Sequence, residues 1–225
     1  MKKRMICILL LLCMLVLLPG CRQMRANRAN MKLFRSGYAR LQGLSSVYVR
    51  NEQYAEGDTN PEEMRLLVTR EEWRNGEDFY REDTAGDRFL SFGGKYWDYD
   101  GHIQKKWREY SHPDSVSSWW KNRTAESFFA GQVTFREEGE FILLELTQDL
   151  GSDNCTFSRQ IDNTTVYMRK DGEITRCTRE LITYSGREVD PEKIHSISKS
   201  EYYITPLDPE KTAQIIQTQY QAMTD

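Results

Sequence analysis

A group of seven carboxylates between positions 71 and 87 is the part of the chain most suited to acid–base or cation chemistry. A close carboxylate pair could act as general acid and general base, or could bind a cation. Arginines at positions 70, 74 and 81 alternate with these carboxylates, however, which is typical of the solvated face of paired strands. We adopt that interpretation for the group, which consists of Glu71, Glu72, Glu77, Asp78, Glu82, Asp83 and Asp87.

No other motif provides a complete catalytic or metal site. The segment 98–101, Asp-Tyr-Asp-Gly, begins like a calcium loop, but Lys105 and Lys106 follow where further oxygen ligands would be needed. The histidines stand at positions 102, 112 and 195, away from any nucleophile motif or zinc-type spacing. We therefore expect no enzyme activity, no metal and no cofactor. A hydrolase assembled from residues distant in sequence remains the alternative.

Cys21 is the residue most suited to covalent modification. Positive charges at positions 2–4 precede an apolar run from Met5 to Leu18, and Gly20 stands directly before the cysteine. A cationic start, a short apolar run and a small residue at the cleavage point form a secretory signal. With a cysteine after the glycine, the segment resembles a bacterial lipoprotein signal. Residues 1–20 are predicted to be removed, and Cys21 to be acylated by chains such as palmitate.

This signal predicts a location at the extracytoplasmic face of a cell membrane. The apolar run is shorter than the roughly 20 residues that span a bilayer as a helix. Two or more acyl chains would hold the protein stably, whereas one chain binds only marginally. An uncleaved N-terminal anchor is the alternative, and it leads to the same side of the membrane.

Charge is divided sharply along the chain. Residues 22–50 contain seven basic residues and no acidic one, whereas 21 basic and 34 acidic residues follow from Asn51 onward, a net charge of −13. A basic segment beside a lipid anchor would be attracted to anionic lipid, although it could also be the solvated side of an ordinary helix. The acidic remainder argues against nucleic acid as a partner.

Two cysteines remain in the mature chain besides Cys21. In an oxidising compartment, Cys155 and Cys177 could form a disulfide, and their spacing is unlike that of a zinc site. Whether they are bonded is left open by the sequence.

Helical periodicity occurs near both ends of the mature chain, and alternation with a period of two dominates between them. Met31, Phe34, Tyr38 and Leu41 predict an amphipathic helix over 24–42. Asp208-Pro209 predicts the start of a short C-terminal helix. About eleven strand-like runs separated by Gly-containing turns lie in between. We expect one α+β domain over 21–225, in which a long antiparallel meander lies between the two helices.

Two hairpins allow a register to be predicted. A three-residue loop ending at Gly101 pairs Trp97 with Ile103 and places Trp107 on the same face. A similar loop ending at Gly172 pairs Met168 with Ile174, and aligns Val166 and Ile182 with them. Trp119-Trp120, within an irregular stretch, could lie at a cavity mouth, enter a membrane interface or close the core.

The order of elements and two segments resemble the LolA-like family of lipoprotein carriers, together with LolB, LppX, LprG-type and RseB-type proteins. The segments are Phe89-Leu-Ser-Phe-Gly-Gly-Lys-Tyr-Trp-Asp-Tyr-Asp-Gly, with Trp107 after it, and Val166-Tyr-Met-Arg-Lys-Asp-Gly-Glu-Ile. The resemblance implies a single curved antiparallel sheet, or incomplete barrel, with the N-terminal helix and the short C-terminal helix packed on it. Its apolar concave face would accept acyl chains. The resemblance brings no catalytic residues with it.

The expected function is therefore a membrane-anchored lipoprotein that binds a lipid or acyl group in the concavity of its sheet. The predicted lining residues are Trp97, Ile103, Trp107, Val166, Met168 and Ile174, with Trp119 and Trp120 as further candidates. The alternative is an interaction module, such as a sensor or accessory subunit of an envelope complex, built on the same sheet with a packed core. An enclosed apolar volume of roughly 300 Å³ or more would favour the ligand site.

Overall fold

A computed structural model describes most of the chain from residue 27 onward. The described residues are 27–56, 64–110, 115–116, 118–153, 158–186 and 188–224. Within them, eleven strands and two long helices account for most of the secondary structure. The predicted signal peptide, Cys21 and Cys155 lie outside the described residues.

The elements follow one another with short turns. The strands are β1 Ser46–Glu56, β2 Met64–Asn75, β3 Asp78–Asp83, β4 Arg88–Phe92, β5 Lys95–Tyr99, β6 Trp107–Tyr110, β7 Gln132–Glu138, β8 Phe141–Asp153, β9 Ser158–Arg169, β10 Ile174–Ser185 and β11 Ile194–Pro206. The helices are α1 (27–42), the single turn α2 Ser118–Lys121 and α3 Pro209–Thr224, with 3₁₀ turns at Ala125–Phe129 and Pro191–Lys193.

All described strands belong to one curved antiparallel sheet that does not close into a barrel, in the order β6-β5-β4-β3-β2-β1-β11-β10-β9-β8-β7. The chain begins in the middle, proceeds strand by strand to one edge, crosses to the other edge and returns. First and last strands therefore pair at the centre, where Asn51 lies opposite Tyr202. The predicted fold class is confirmed.

The two long helices pack on opposite faces of the sheet. Neighbouring residues of a strand point to opposite faces, and in β1 this sends Val47 toward α1 and Tyr48 toward the other side. Trp73 of β2, opposite Tyr80, lies on the side that α3 covers. We call the two sides the α1 face and the α3 face.

Side chains fill the space between α1 and the sheet. Phe34, Tyr38, Trp120 and Phe128 are buried almost completely, with Phe34 and Phe128 ring centroids 5.4 Å apart. Trp120 belongs to the segment that connects β6 to β7, which we call the crossing segment. The Tyr38 hydroxyl donates a hydrogen bond of 2.7 Å to the carbonyl of Trp120 and so attaches this segment to the helix. The amphipathic pattern of α1 therefore forms a packed core.

The C-terminal helix begins where its sequence predicts. The Asp208 carboxylate accepts hydrogen bonds from the backbone N–H groups of Glu210 (2.9 Å) and Lys211 (3.1 Å), as an N-cap does. On the buried side, Ile216 is almost inaccessible and Tyr220 stacks on Phe92 at 4.6 Å. This helix covers β1 to β4 on the α3 face.

The predicted register around Gly101 is wrong. Trp97 lies opposite Glu109, and Tyr99 lies opposite Trp107, so the connection is longer than three residues. The Asp100 carboxylate accepts hydrogen bonds from the backbone N–H groups of residues 102 and 103, which stabilises a wide turn. Ile103 is consequently 85% exposed and does not face the interior.

The predicted register around Gly172 is confirmed for the pair nearest the turn, Met168 and Ile174. Gly172 has a φ of +88°, and Met168 lies opposite Ile174. The pairing shifts between Ile174 and Arg176, so later residues of β10 exchange faces. Ile182 therefore lies on the α3 face opposite Ile161, contrary to the predicted alignment.

Candidate functional site

The residues predicted to line one cavity are divided between the two faces. Val166, Met168 and Ile174 are buried beneath α1. Trp97 and Trp107 belong to the cluster beneath α3, where Trp97 contacts Tyr220 with ring centroids 5.5 Å apart. The prediction that these side chains share one interior is wrong, because strand alternation separates them.

The remaining predicted site residues are the tryptophans at positions 119 and 120 and the two cysteines of the predicted disulfide. Trp120 is buried in the α1-face core, which matches the alternative that it closes the core, and the side chain of Trp119 is outside the described part of the chain. Cys177 is a buried thiol whose pKa is raised by burial. Its predicted partner Cys155 is not among the described residues, so the disulfide remains a prediction.

A half-open cleft of about 360 Å³ lies between the C-terminal half of α1 and the turn after β9. Apolar side chains line its floor, and charged groups lie at its rim. The Arg40 guanidinium donates a hydrogen bond of 2.5 Å to the carbonyl of Asp171 across the mouth. We call this the α1–hairpin cleft, and its apolar lining is Leu41, Leu44, Ile174 and Pro206.

A buried ion pair attaches the segment after β6 to the α1 face. Glu72 is fully buried, and its carboxylate lies 3.2 Å from Arg74 and accepts hydrogen bonds from the Ser115 hydroxyl and the Val116 N–H at 2.8 Å. Every charged group in this cluster therefore has a partner, as burial of charge requires. The predicted solvated acidic face does not include Glu72, which is a structural link.

A larger cleft of about 610 Å³ lies on the α3 face, over the strands that α3 does not cover. Tyr167, Arg176 and Tyr203 lie opposite one another on β9, β10 and β11. The Arg176 guanidinium carbon is 4.7 Å from the Tyr167 ring centroid and 5.3 Å from that of Tyr203. Phe141 completes the aromatic lining. We call this the Tyr–Arg cleft.

Buried carboxylates hold the cations of this region in place. Glu201 lies 2.7 Å from Arg176 and 2.5 Å from Lys199, and accepts a hydrogen bond from the Tyr203 hydroxyl at 2.7 Å. Burial acts to raise the pKa of Glu201, but these partners together lower it to about 2. Burial and the hydrogen bond to Glu201 raise the pKa of Tyr203 to about 12.

Sequence reasoning did not single out the Tyr–Arg cleft, although its signal is present in the chain. Tyr167 stands between buried Val166 and Met168, so the alternation assigns it to the side away from α1, whereas Arg176 reaches that side only through the bulge after Ile174. Those positions would ordinarily be solvated. Only the pairing of β9, β10 and β11 brings the three residues side by side.

The described residues contain neither a metal-binding cluster nor a membrane-spanning helix. No group of three or more His, Cys, Asp or Glu side chains there is arranged to hold a metal ion. None of the described helices is both long enough and apolar enough to cross a bilayer.

Comparison with known proteins gives only weak structural likeness. No protein-family model and no curated protein matches this chain. A solved structure of a DUF1329 family protein from Desulfovibrio piger is similar over 80% of this chain and 92% of its own length, with 10% identity and a TM-score of 0.26. A likeness of this degree carries no argument about the site or its function. The resemblance to LolA-like carriers remains an expectation from the sequence.

Proposed function

We propose that this protein is a lipid-anchored interaction module at the extracytoplasmic face of a cell membrane, acting as an accessory or sensor subunit without enzyme activity. One observation carries this choice over a carrier of whole acyl chains. The apolar side chains expected to line a cavity are packed in two cores on opposite faces, beneath α1 and beneath α3. A filled core leaves the surfaces of the sheet available for recognition.

The arrangement of α1 supports attachment at a lipid surface. Arg28, Lys32 and Arg35 recur at four- and three-residue spacing and are exposed, whereas Phe34 and Tyr38 face the core. Five residues separate Cys21 from Asn27, a distance of at most about 20 Å in a fully extended chain. An acylated Cys21 would therefore hold this basic side of α1 close to the lipid headgroups.

Metabolic labelling tests the anchor. Cells expressing the full chain are grown with an alkyne-tagged palmitate, and the protein is analysed by gel and by mass spectrometry of its N-terminal peptide. We expect the label on a chain that begins at Cys21. Cys21→Ser should lose the label and retain residues 1–20, while Cys177→Ser, the matched control, should keep the label. Label on the Cys21→Ser variant, or an intact Met1 on the wild-type protein, would contradict the proposal.

A second candidate function is binding of a single apolar group in the α1–hairpin cleft. Its volume of about 360 Å³ falls within the range of small-molecule sites, and Ile174 is part of its lining. A dansylated fatty acid is a suitable probe. If this function is correct, fluorescence should show saturable binding that Leu44→Glu abolishes and the exposed control Leu67→Glu preserves. Equal binding by the two variants would exclude the cleft.

A further inference from the structure

The part of the α3 face over β8 to β11, which no described helix covers, carries a row of side chains that continues to Arg50 on β1, the first strand beneath α3. Leu143, Tyr167, Arg176, Tyr203 and Arg50 lie opposite one another on five successive strands. Aromatic and guanidinium groups thus alternate across the sheet. Tyrosine and arginine are the residue types most enriched at the energetic centres of protein interfaces.

The central side chains of this row, Arg176 and Tyr203, are fixed by contacts within the protein. Arg176 is placed between two tyrosine rings and is also bonded to Glu201 at 2.7 Å. The Tyr203 hydroxyl donates to the same carboxylate. Side chains that are already ordered lose little conformational freedom on binding, so their contacts contribute more fully to affinity.

In the central ion pairs, the cation is the accessible member. The side chain of Arg50 is 48% exposed against 12% for Glu52, and that of Arg176 is 33% exposed against 8% for Glu201. Lys199 is likewise more exposed than Glu201. At the rim, by contrast, Arg169 is paired with the partly exposed Glu173, and the exposed Glu138 is paired with Arg136. In the cleft itself, Arg176 therefore presents the cation of its ion pair, and Arg50 and Lys199 add positive charge on the same face, on a chain that is strongly acidic from Asn51 onward.

We propose that the Tyr–Arg cleft docks a segment of a partner protein in which a carboxylate stands next to an aromatic side chain. The inference rests on the proposed function as an interaction module and names the surface and the chemistry of its partner. The aromatic side chain packs on the rings of Phe141, Tyr167 and Tyr203. The carboxylate lies against the accessible edge of Arg176, where charge-assisted hydrogen bonds form.

Fluorescence polarisation with defined peptides tests the docking. The probe is a labelled peptide of alternating Glu and Phe, with a Gln–Phe peptide as control, titrated with the mature protein. We expect saturable binding that weakens at least tenfold with the Gln–Phe peptide and at least tenfold in Arg176→Gln. Arg159→Gln is the matched control, because Arg159 is equally exposed at 33% and is paired with Asp149 on the same face. Its affinity should stay within twofold of wild type.

Several results would overturn the assignment. Absence of saturable binding, equal affinity for the Gln–Phe peptide, or equal losses in Arg176→Gln and Arg159→Gln would each do so. Anionic vesicles are included as competitors. Binding to vesicles that Arg176→Gln abolishes, without peptide binding, would assign the cleft to lipid instead. Circular dichroism of each variant confirms that the fold is retained.

Photocrosslinking in the host cell separates failure of this surface from failure of the proposed function. A photoreactive residue is placed at Thr205, which is exposed and lines the cleft, and separately at Ala29 and Lys95 outside it. Docking predicts protein adducts at Thr205 that Arg176→Gln removes. Adducts only at the other positions would exclude this surface while keeping the interaction module. Adducts at none of them would exclude both.

Discussion

Gly37 of α1 lies directly against the carbonyl oxygen of Gly172 at the tip of the β9–β10 hairpin. A Cβ atom on Gly37 would be 2.0 Å from that oxygen, and one on Gly172 would be 2.7 Å from Arg40 Nη2. Helix and hairpin therefore meet backbone to backbone. This contact places α1 on the sheet and bounds the α1–hairpin cleft.

Gly37→Ala should destabilise the protein by about 2–3 kcal/mol, because the new methyl group forces helix and hairpin apart. Helix propensity alone predicts the opposite sign, a gain of about 1 kcal/mol. Urea denaturation followed by circular dichroism measures the difference. Ser36→Ala, at the exposed neighbouring position, serves as control and should have little effect. A stabilised Gly37→Ala variant would disprove the close approach.

Removing the Glu72 carboxylate should leave Arg74 buried without its partner. Glu72→Ala is therefore expected to cost about 3–5 kcal/mol in unfolding free energy. Glu145→Ala removes a pair with Arg136 in which both side chains are exposed, and it should cost about 1 kcal/mol or less. Thermal unfolding of the two variants provides the comparison. Similar losses in both would show that the Glu72 cluster does not hold the crossing segment.

The lowered pKa of Glu201 predicts an acid-dependent contribution to stability. Its folded-state pKa of about 2 lies below the ordinary value of 4.5, so its ionisation stabilises the fold above pH 4.5. That contribution, about 3 kcal/mol, is lost as the pH falls from 4.5 toward 2. Glu201→Gln should show a smaller decrease in unfolding temperature between pH 5 and pH 3 than the wild type. Parallel curves would contradict the ion-pair geometry.

Ile103 and Ile174, which the sequence predicts to line the same cavity, should respond differently to substitution by glutamate. Ile103→Glu should change stability by less than about 0.5 kcal/mol, since this side chain is almost fully exposed. Ile174→Glu places a carboxylate beside the α1-face core and should cost several kcal/mol, about 3 or more. Differential scanning fluorimetry distinguishes the two. A large loss of stability in Ile103→Glu would instead support the predicted register, in which Ile103 pairs with Trp97.

Neutralising the exposed side of α1 should weaken its attraction to anionic membranes. The mature chain with Cys21→Ser, which carries no lipid, is tested by flotation with vesicles that contain anionic phospholipid. Replacing Arg28, Lys32 and Arg35 by Gln should reduce binding about a hundredfold, since each basic residue near the surface contributes about 1 kcal/mol. The same change at Arg136, Arg159 and Arg169 should have little effect. Equal losses of vesicle binding in the two triple variants would indicate that any exposed positive charge contributes, and not the basic side of α1 in particular.

Local patterns in the sequence were sufficient for most of the fold. The spacing of Phe34, Tyr38 and Leu41 predicts α1, Asp208 marks the start of α3, and the alternation with Gly-containing turns predicts the curved meander. Gly172 predicts the β9–β10 hairpin because a left-handed residue is needed there. These features depend on short-range sterics and hydrogen bonds, which neighbouring residues determine.

The site depends on contacts that no local pattern contains. The Asp100 carboxylate accepts hydrogen bonds from the backbone N–H groups of residues 102 and 103. The connection to β6 is therefore wide, and Ile103 lies outside the core. A bulge after Ile174 exchanges the faces of the residues that follow. The division of apolar residues between two helices also could not be deduced, because either helix could have covered either face. The bulge and the division of apolar residues depend on contacts between residues that are distant in the sequence.

The seam between β1 and β11 has a consequence for how the molecule assembles. Asn51 and Tyr202 face each other there although about 150 residues separate them along the chain, and closing so long a loop is slow compared with forming adjacent hairpins. Each half of the meander can be built from neighbours, but the middle of the sheet is completed only by the last strand to be synthesised. Truncation before β11 would therefore leave two unjoined ribbons with bare edges, a species prone to aggregate.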